Sequence, residues 1–243
     1  MSQRKPRPQC ALCAVQDRAC VVPGGEGPAF CPTHHYQEVI EAAVKEYDKP
    51  EIRAFARMAS IQEGECYANR QRTPFVLQPV KTRVEEICEF AAKMAYQKIG
   101  VAFCGGLQAE ARAFTDVLTA HGFDVVSVRC KVGCTPKEVI GVHDDEKIRI
   151  GAFETMCSPI AQAALLNAEA TDFNVLIGLC VGHDALFFKY SKAFTTVLVA
   201  KDRVLAHNPV GALYTTGSYY AKLLTPEAPT SEAMARKGPR RGV

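Results

Sequence analysis

Eleven cysteines in a chain of 243 residues limit what this sequence can become more than any other feature. Their number is odd, and no apolar signal region follows the basic stretch Met1–Pro8, so an exported disulfide scaffold is not expected. In a reducing cytoplasm, dense cysteine points instead to metal ligands or redox chemistry, with some thiols buried as small apolar groups. The remainder of the chain can build a core: 48% of residues are apolar and 23% charged. No run approaches the roughly 20 uninterrupted apolar residues of a membrane helix. The net charge of +3 resides in the two ends, in Arg4, Lys5 and Arg7 and in Arg236, Lys237, Arg240 and Arg241. The body between them is slightly acidic and Trp is absent, which argues against a nucleic-acid partner.

Composition and periodicity divide the chain into five parts. Residues 1–8 and 225–243 read as disordered tails, too polar to bury a core. Residues 9–33, rich in Cys, Pro and Gly, form a loop-built module. Residues 34–98 read as a helical connector packed on the core. Thr33 would cap a helix with Tyr36, Val39, Ile40, Ala43, Val44 and Tyr47 on one face. Pro50 would start a second helix, and Val80, Val84, Ile87, Ala91 and Met94 would line a third. Residues 99–224 switch to short apolar runs alternating with helical patterns. The strands fall at Ile99–Cys104, Phe123–Arg129, Phe173–Leu179 and Thr195–Ala200, with a further segment at Arg203–Ala206. Between them, Thr135-Pro136-Lys137-Glu138 has capping-box spacing, and Ser158-Pro159 opens a helix. The expected fold is α/β, a Rossmann-like, mainly parallel sheet of about four or five strands. The four-cysteine knuckle and the helical connector precede it.

The knuckle is Cys10-x2-Cys13-x6-Cys20-x10-Cys31. A close pair plus two more cysteines in a core-poor segment can surround one ion tetrahedrally, and metal binding would supply much of the segment's order. Zinc and a [4Fe–4S] cluster both accept four thiolates, and His34 and His35 are alternative ligands.

A second group emerges once the strands are placed. Cys104, Cys130 and Cys180 each end a strand, where ligands of open parallel sheets bind. Cys157 precedes the helix at Ser158, and Cys134 lies in the long excursion 131–156, so their membership depends on the path of that loop. Gly105-Gly106 lets backbone N–H groups approach an anion, and His183 and Asp184 stand beside Cys180, with Lys131, Lys137 and Glu110 in reach. The third glycine of a dinucleotide fingerprint is missing. Cys66 and Cys88 fall on apolar helix faces and read as packing, His121 as a helix C-terminal residue, His143 as a solvated loop residue, and His207 as a turn or crevice residue.

These residues resemble a prokaryotic family of unknown function that carries a metal-binding label. The resemblance rests on the N-terminal Cys-x2-Cys and Cys-Pro elements, Phe-Cys-Gly-Gly-Leu (103–107) and Cys-Lys-Val-Gly (130–133). It also rests on Met-Cys-Ser-Pro-Ile-Ala-Gln-Ala (156–163), Gly-Leu-Cys-Val-Gly-His-Asp (178–184) and Lys-Asp-Arg-Val-Leu-Ala-His-Asn-Pro (201–209). It implies metal binding and an anaerobic bacterial or archaeal habitat, without a reaction.

Three functions fit the sequence. The first is a cytoplasmic, metal-dependent redox protein. Cys104, Cys130, Cys157 and Cys180, with Cys134 as alternate, would hold a [4Fe–4S] cluster or form a reactive thiol site, served by His183, Asp184 and Lys131 and by a redox partner protein. The second is a non-redox thiol enzyme acting on a small anionic substrate between Gly105-Gly106 and His183. The third is a non-catalytic zinc-binding or metal-trafficking module in which the knuckle is the working part.

Overall fold

The structure, a computed structural model, describes residues 5–225. Most of the two expected tails, residues 1–4 and 226–243, lies outside the described residues. The chain divides after Met94 into two compact units.

The first unit holds 3-10 turns at Cys10–Leu12 and Glu46–Asp48 and helices α1 (Pro32–His35), α2 (Gln37–Lys45), α3 (Pro50–Glu65) and α4 (Arg83–Lys93). The single helix expected from Thr33 is broken at Tyr36, whose backbone leaves helical geometry (φ −123°, ψ 29°). The expected apolar face of Val39, Ile40, Val44 and Tyr47 is exposed. Pro50 starts α3, where its missing N–H costs nothing. Val80 lies outside α4 because Thr82 begins that helix with a reciprocal cap. Its hydroxyl accepts from the Glu85 N–H, and the Glu85 carboxylate accepts from the Thr82 N–H at 2.7 Å. Phe55 of α3 meets Phe90 of α4 edge-on, with centroids 5.0 Å apart. Cys66 and Cys88 are buried, and burial pushes both thiols above their ordinary range.

The second unit is a four-stranded, all-parallel sheet: β1 (Lys98–Phe103), β2 (Asp124–Arg129), β3 (Phe173–Ile177) and β4 (Phe194–Val199), in the order β2-β1-β3-β4. Parallel pairing needs crossovers, supplied by α5 (Gln108–Ala120), α6 (Pro159–Ala168) and α7 (His183–Tyr190); α8 (Val210–Tyr214) follows the sheet. The central strands β1 and β3 are buried almost throughout, which explains their unbroken apolar runs. Ala102, Val128, Cys130, Ala163, Leu166, Leu176, Leu179 and Phe187 form one core cluster, with Cys104 and Cys157 packed against it. The chain reverses direction across the sheet between β1 and β3, the position where an open α/β sheet leaves a crevice at its carboxyl edge.

Two local expectations are corrected. The segment 203–206 is a turn, because Ala206 (φ 49°) and His207 (φ 65°) are left-handed and cannot continue a strand. The segment 135–138 yields a short 3-10 turn, Lys137–Ile140, with no side-chain cap, and Gly141 stops it at φ 78°.

Candidate functional site

Backbone bonds hold the strand ends of the second unit in register past their last ladder residues. The Cys104 N–H donates to the Ile177 carbonyl (3.0 Å), that of Cys130 to Phe103 (2.9 Å), and that of Gly178 to Val199 (2.8 Å). Cys104 and Cys130 therefore stand side by side beyond β1 and β2. Gly178 turns the chain after β3 at φ 63°, and an added Cβ there would overlap Leu107 Cδ1. Only glycine fits that position.

Cys157 joins this edge through a bond that the sequence does not advertise. The N–H of Ser158, first residue after Cys157, donates to the Cys130 carbonyl at 2.7 Å. This clamps the start of α6 to the end of β2, and the sulfurs of Cys157 and Cys130 share a hydrogen bond across 3.8 Å. Cys130 is 2% exposed and Cys157 half-buried. The Gly105 N–H points at Cys130 Sγ (3.3 Å). Gln162 of α6 is fully buried; its Nε2 donates to the carbonyls of Val128 (2.7 Å) and Phe103 (3.2 Å), tying the helix to both strand ends.

The three sulfurs titrate as a chain. Contact with Cys130 holds Cys157 well below the ordinary thiol value, at about 6, and Lys131 adds to the effect against the opposing cost of burial. The hydrogen bond to Cys130, reinforced by burial, pushes Cys104 up to about 12. For Cys130, the bond with Cys104 pulls downward, but contact with Cys157 and burial outweigh it and leave the thiol raised. One member of the chain is thus a thiolate near neutral pH and the others are thiols. With both thiols protonated, Cys157 S–H donates to Cys130 Sγ; once Cys157 ionises it can only accept, so the bond reverses and the Cys130 S–H donates.

Cations from beyond β4 complete the edge. Lys201 Nζ donates to Cys104 Sγ (3.4 Å) and Arg203 Nη2 to Cys180 Sγ (2.9 Å). The candidate set read from strand ends omits both. The same rule applied to the fourth strand would have found Lys201, two residues after β4 ends.

The remaining expected residues divide. Lys131 Nζ donates to the Thr155 carbonyl. His183 begins α7; burial, then Lys131, lower its pKa, so the imidazole is neutral at pH 7, and its buried Nδ1 has no partner among the described residues. Asp184 is occupied locally, accepting from the N–H groups of Gly182 (3.0 Å) and Ala185 (2.8 Å). Cys134 is exposed and left-handed (φ 49°), with its sulfur 3.6 Å from the Thr155 hydroxyl. Lys137 pairs with Glu154 at 2.5 Å. Gly105 and Gly106 form a 3-10 turn before α5, with Gly105 tight against the Arg129 side chain. His207 closes its own turn, its Nδ1 accepting from the Asp202 N–H (3.1 Å). His121 caps the C-terminus of α5, with Nδ1 2.9 Å from the Val117 carbonyl, and His143 is exposed.

In the first unit, Cys10, Cys13, Cys20 and Cys31 all line one cavity of about 410 Å³, together with Arg18, Glu26 and Gly27. Gly27 is packed so closely on Cys31 and His34 that an added Cβ would lie 2.7 Å from Cys31 Sγ. The four thiols share this space. Among the described residues, however, no three His, Cys, Asp or Glu side chains stand as a ready metal-ligating set, here or at the sheet edge.

Fold and site together define a parallel α/β protein with cysteines gathered at the carboxyl edge of its sheet. The chain belongs to the family described as "Protein of unknown function (DUF1847)", which matches residues 31–198. That span includes every sheet-edge cysteine and Cys31, but not Cys10, Cys13, Cys20, Lys201 or Arg203. The chain is also 44% identical to the uncharacterized protein MJ0455 of Methanocaldococcus jannaschii over 188 residues, covering 77% of this chain and 89% of that protein. No solved structure matches it. Among the described residues, no helix is long and apolar enough to cross a membrane.

Proposed function

We propose that this chain is a cysteine-dependent redox protein whose reactive centre is the Cys157–Cys130 pair. The observation that carries the reading is the 3.8 Å contact between a half-buried thiol at a helix start and a fully buried thiol. In thiol–disulfide exchange the accessible thiolate attacks first and a sheltered neighbour resolves the product. Cys157 would attack one sulfur of a substrate disulfide, forming a mixed disulfide and expelling the other half as a thiolate. Cys130 would then pass its proton to the expelled thiolate and attack Cys157 Sγ. The substrate leaves as two thiols, and its two electrons come from the Cys130 and Cys157 thiols, which are oxidised to a disulfide. A dithiol partner protein would restore the starting state. The Cys130→Ser variant tests this directly. It should accumulate a stable mixed disulfide on Cys157 when given a small disulfide, whereas the parent protein should release it. A parent protein that also retains the adduct contradicts the reading.

A second reading is favoured by the same distance. Zinc–thiolate bonds of about 2.3 Å place tetrahedral ligands about 3.8 Å apart. Cys104, Cys130, Cys157 and Cys180, flanked by Lys131, Lys201 and Arg203, would then hold zinc or, with their sulfurs spread farther apart, a [4Fe–4S] cluster, whose negative charge those cations would offset. The cavity shared by Cys10, Cys13, Cys20 and Cys31 supports a separate structural metal, zinc or [4Fe–4S], in the first unit. Such thiol chemistry suits a reducing, cytoplasmic setting. Oxygen-free purification followed by zinc, iron and acid-labile sulfide analysis distinguishes the readings. Metal lost on Cys157→Ser substitution would favour the cluster over the dithiol.

A further inference from the structure

Residues 131–156 do more than bring Cys157 to the sheet. The excursion encloses a solvent-open cavity of about 410 Å³ lined by Lys131, Ile148, Arg149, Phe153, Glu154 and Thr155. That volume is within the usual range of small-molecule sites, about 300–1,000 Å³. Two of its lining residues stand close to the thiol pair along the chain: Lys131 directly follows Cys130, and Thr155 precedes Cys157 by two residues. The Lys131 charge also acts on the Cys157 thiol.

Its walls are held in place. Lys147, with a side chain only 6% exposed, pairs with Glu138 (2.5 Å) and Asp144 (3.0 Å) and donates to the Ala152 carbonyl (3.2 Å). Asp144 accepts from the Gly151 N–H (2.8 Å), and Glu154 accepts from the Arg149 N–H (3.0 Å). The Met156 N–H donates to the Thr135 carbonyl (2.8 Å). This fixed loop nevertheless leaves Ile148 83% and Phe153 64% exposed. Two apolar side chains held in water by a hydrogen-bonded loop offer a ligand an apolar surface to cover.

The charge of the cavity identifies that ligand further. Glu154 is neutralised within the wall by Lys137 at 2.5 Å. Lys131 spends one donor on a neutral carbonyl, that of Thr155. The Arg149 guanidinium makes no hydrogen bond or ion pair among the described residues. The lining thus has two cations and no free anion.

We infer that this cavity is the substrate subsite of the thiol pair, shaped for a small molecule with an apolar body and an anionic group such as a carboxylate. The inference rests on the redox reading for its chemistry, but binding can be measured without it. In the exchange step, the substrate's apolar body would lie on Ile148 and Phe153 with its carboxylate on Arg149. Its disulfide would then face Cys157, whose sulfur forms the new bond as the second half leaves as a thiolate.

The test uses the full chain and two probe pairs. By calorimetry, 2-naphthoate should bind about tenfold more tightly than neutral 2-naphthamide, the scale of a hydrogen bond to a charged group. Arg149→Glu should abolish that preference, and Phe153→Ala should weaken both ligands. Cys157→Ser should leave the binding unchanged. In kinetics, dithiobis(nitrobenzoate), an anionic aromatic disulfide, should modify Cys157 faster than neutral dithiodipyridine, with the ratio collapsing in Arg149→Glu. Equal binding of the naphthyl pair, or a preference unaffected by Arg149→Glu, overturns the subsite. A normal naphthoate preference with an unreactive Cys157 overturns the redox reading and leaves the subsite standing.

Discussion

The Ser158 N–H donates to the Cys130 carbonyl at 2.7 Å, and this one backbone bond places the two sulfurs flanking it 3.8 Å apart. It joins the start of α6 to the end of β2, so the thiol contact is set by the framework and not by side-chain choice alone. Preorganised contact of this kind shortens the search between attack and resolution.

The pH dependence follows from the depressed acidity of Cys157. Its thiolate is the major form above about 6 and is lost as the pH falls below that value. Alkylation by iodoacetamide should therefore rise through pH 6 and level off near neutrality, with Cys157 as the first peptide labelled. Removing the Lys131 charge disfavours the thiolate, so Lys131→Met should move the midpoint upward and slow labelling at pH 6 by roughly threefold to tenfold. A midpoint unmoved by Cys130→Ala, which removes the larger cause, would contradict this assignment.

Gly178 should tolerate no side chain. Its positive φ and the Leu107 methyl in the space an added Cβ would take combine strain with overlap, so Gly178→Ala should cost about 2–4 kcal/mol in denaturant unfolding. Gly122, at φ 86° but with nothing within 4 Å, is the control: its alanine variant should lose only about 1 kcal/mol.

The reciprocal cap of α4 gives a prediction for the first unit. Thr82→Ala removes the hydroxyl that accepts from Glu85 and should cost about 1 kcal/mol, read by thermal or denaturant unfolding. Thr82→Ser should retain most of the stability.

The shared cavity of Cys10, Cys13, Cys20 and Cys31 predicts a metal independent of the redox pair. Purified chain should carry about one zinc, or one cluster, that Cys31→Ser releases while Cys157 labelling keeps its pH midpoint. Full metal content in Cys31→Ser would contradict the four-thiolate site.

Much of the second unit was legible because β1 and β3 are buried on both faces and so read as apolar runs, and because Cys104 and Cys130 follow strands directly. Cys180 stands three residues past the end of β3, since Gly178 turns the chain before it. The pairing of Cys157 was not legible, because it depends on how a 26-residue excursion returns and on a main-chain bond that leaves no trace in side-chain pattern. Arg203 was hidden by a strand-like run, Arg203–Ala206, whose left-handed end appears only in the backbone. In the first unit, periodicity from Tyr36 to Tyr47 suggested one covered helix. It does not reveal that Tyr36 breaks the helix or that the apolar face stays in solvent.

Disulfide mapping of the full chain after brief exposure to a small disulfide tests the central claim most directly. Exchange would be quenched with acid, free thiols then alkylated with a maleimide in denaturant near neutral pH, and the peptides identified by mass spectrometry. The account predicts one new bridge, Cys130–Cys157, formed before any other and reversed by a dithiol. Cys130 and Cys157 both remaining alkylatable while other cysteines oxidise would contradict it.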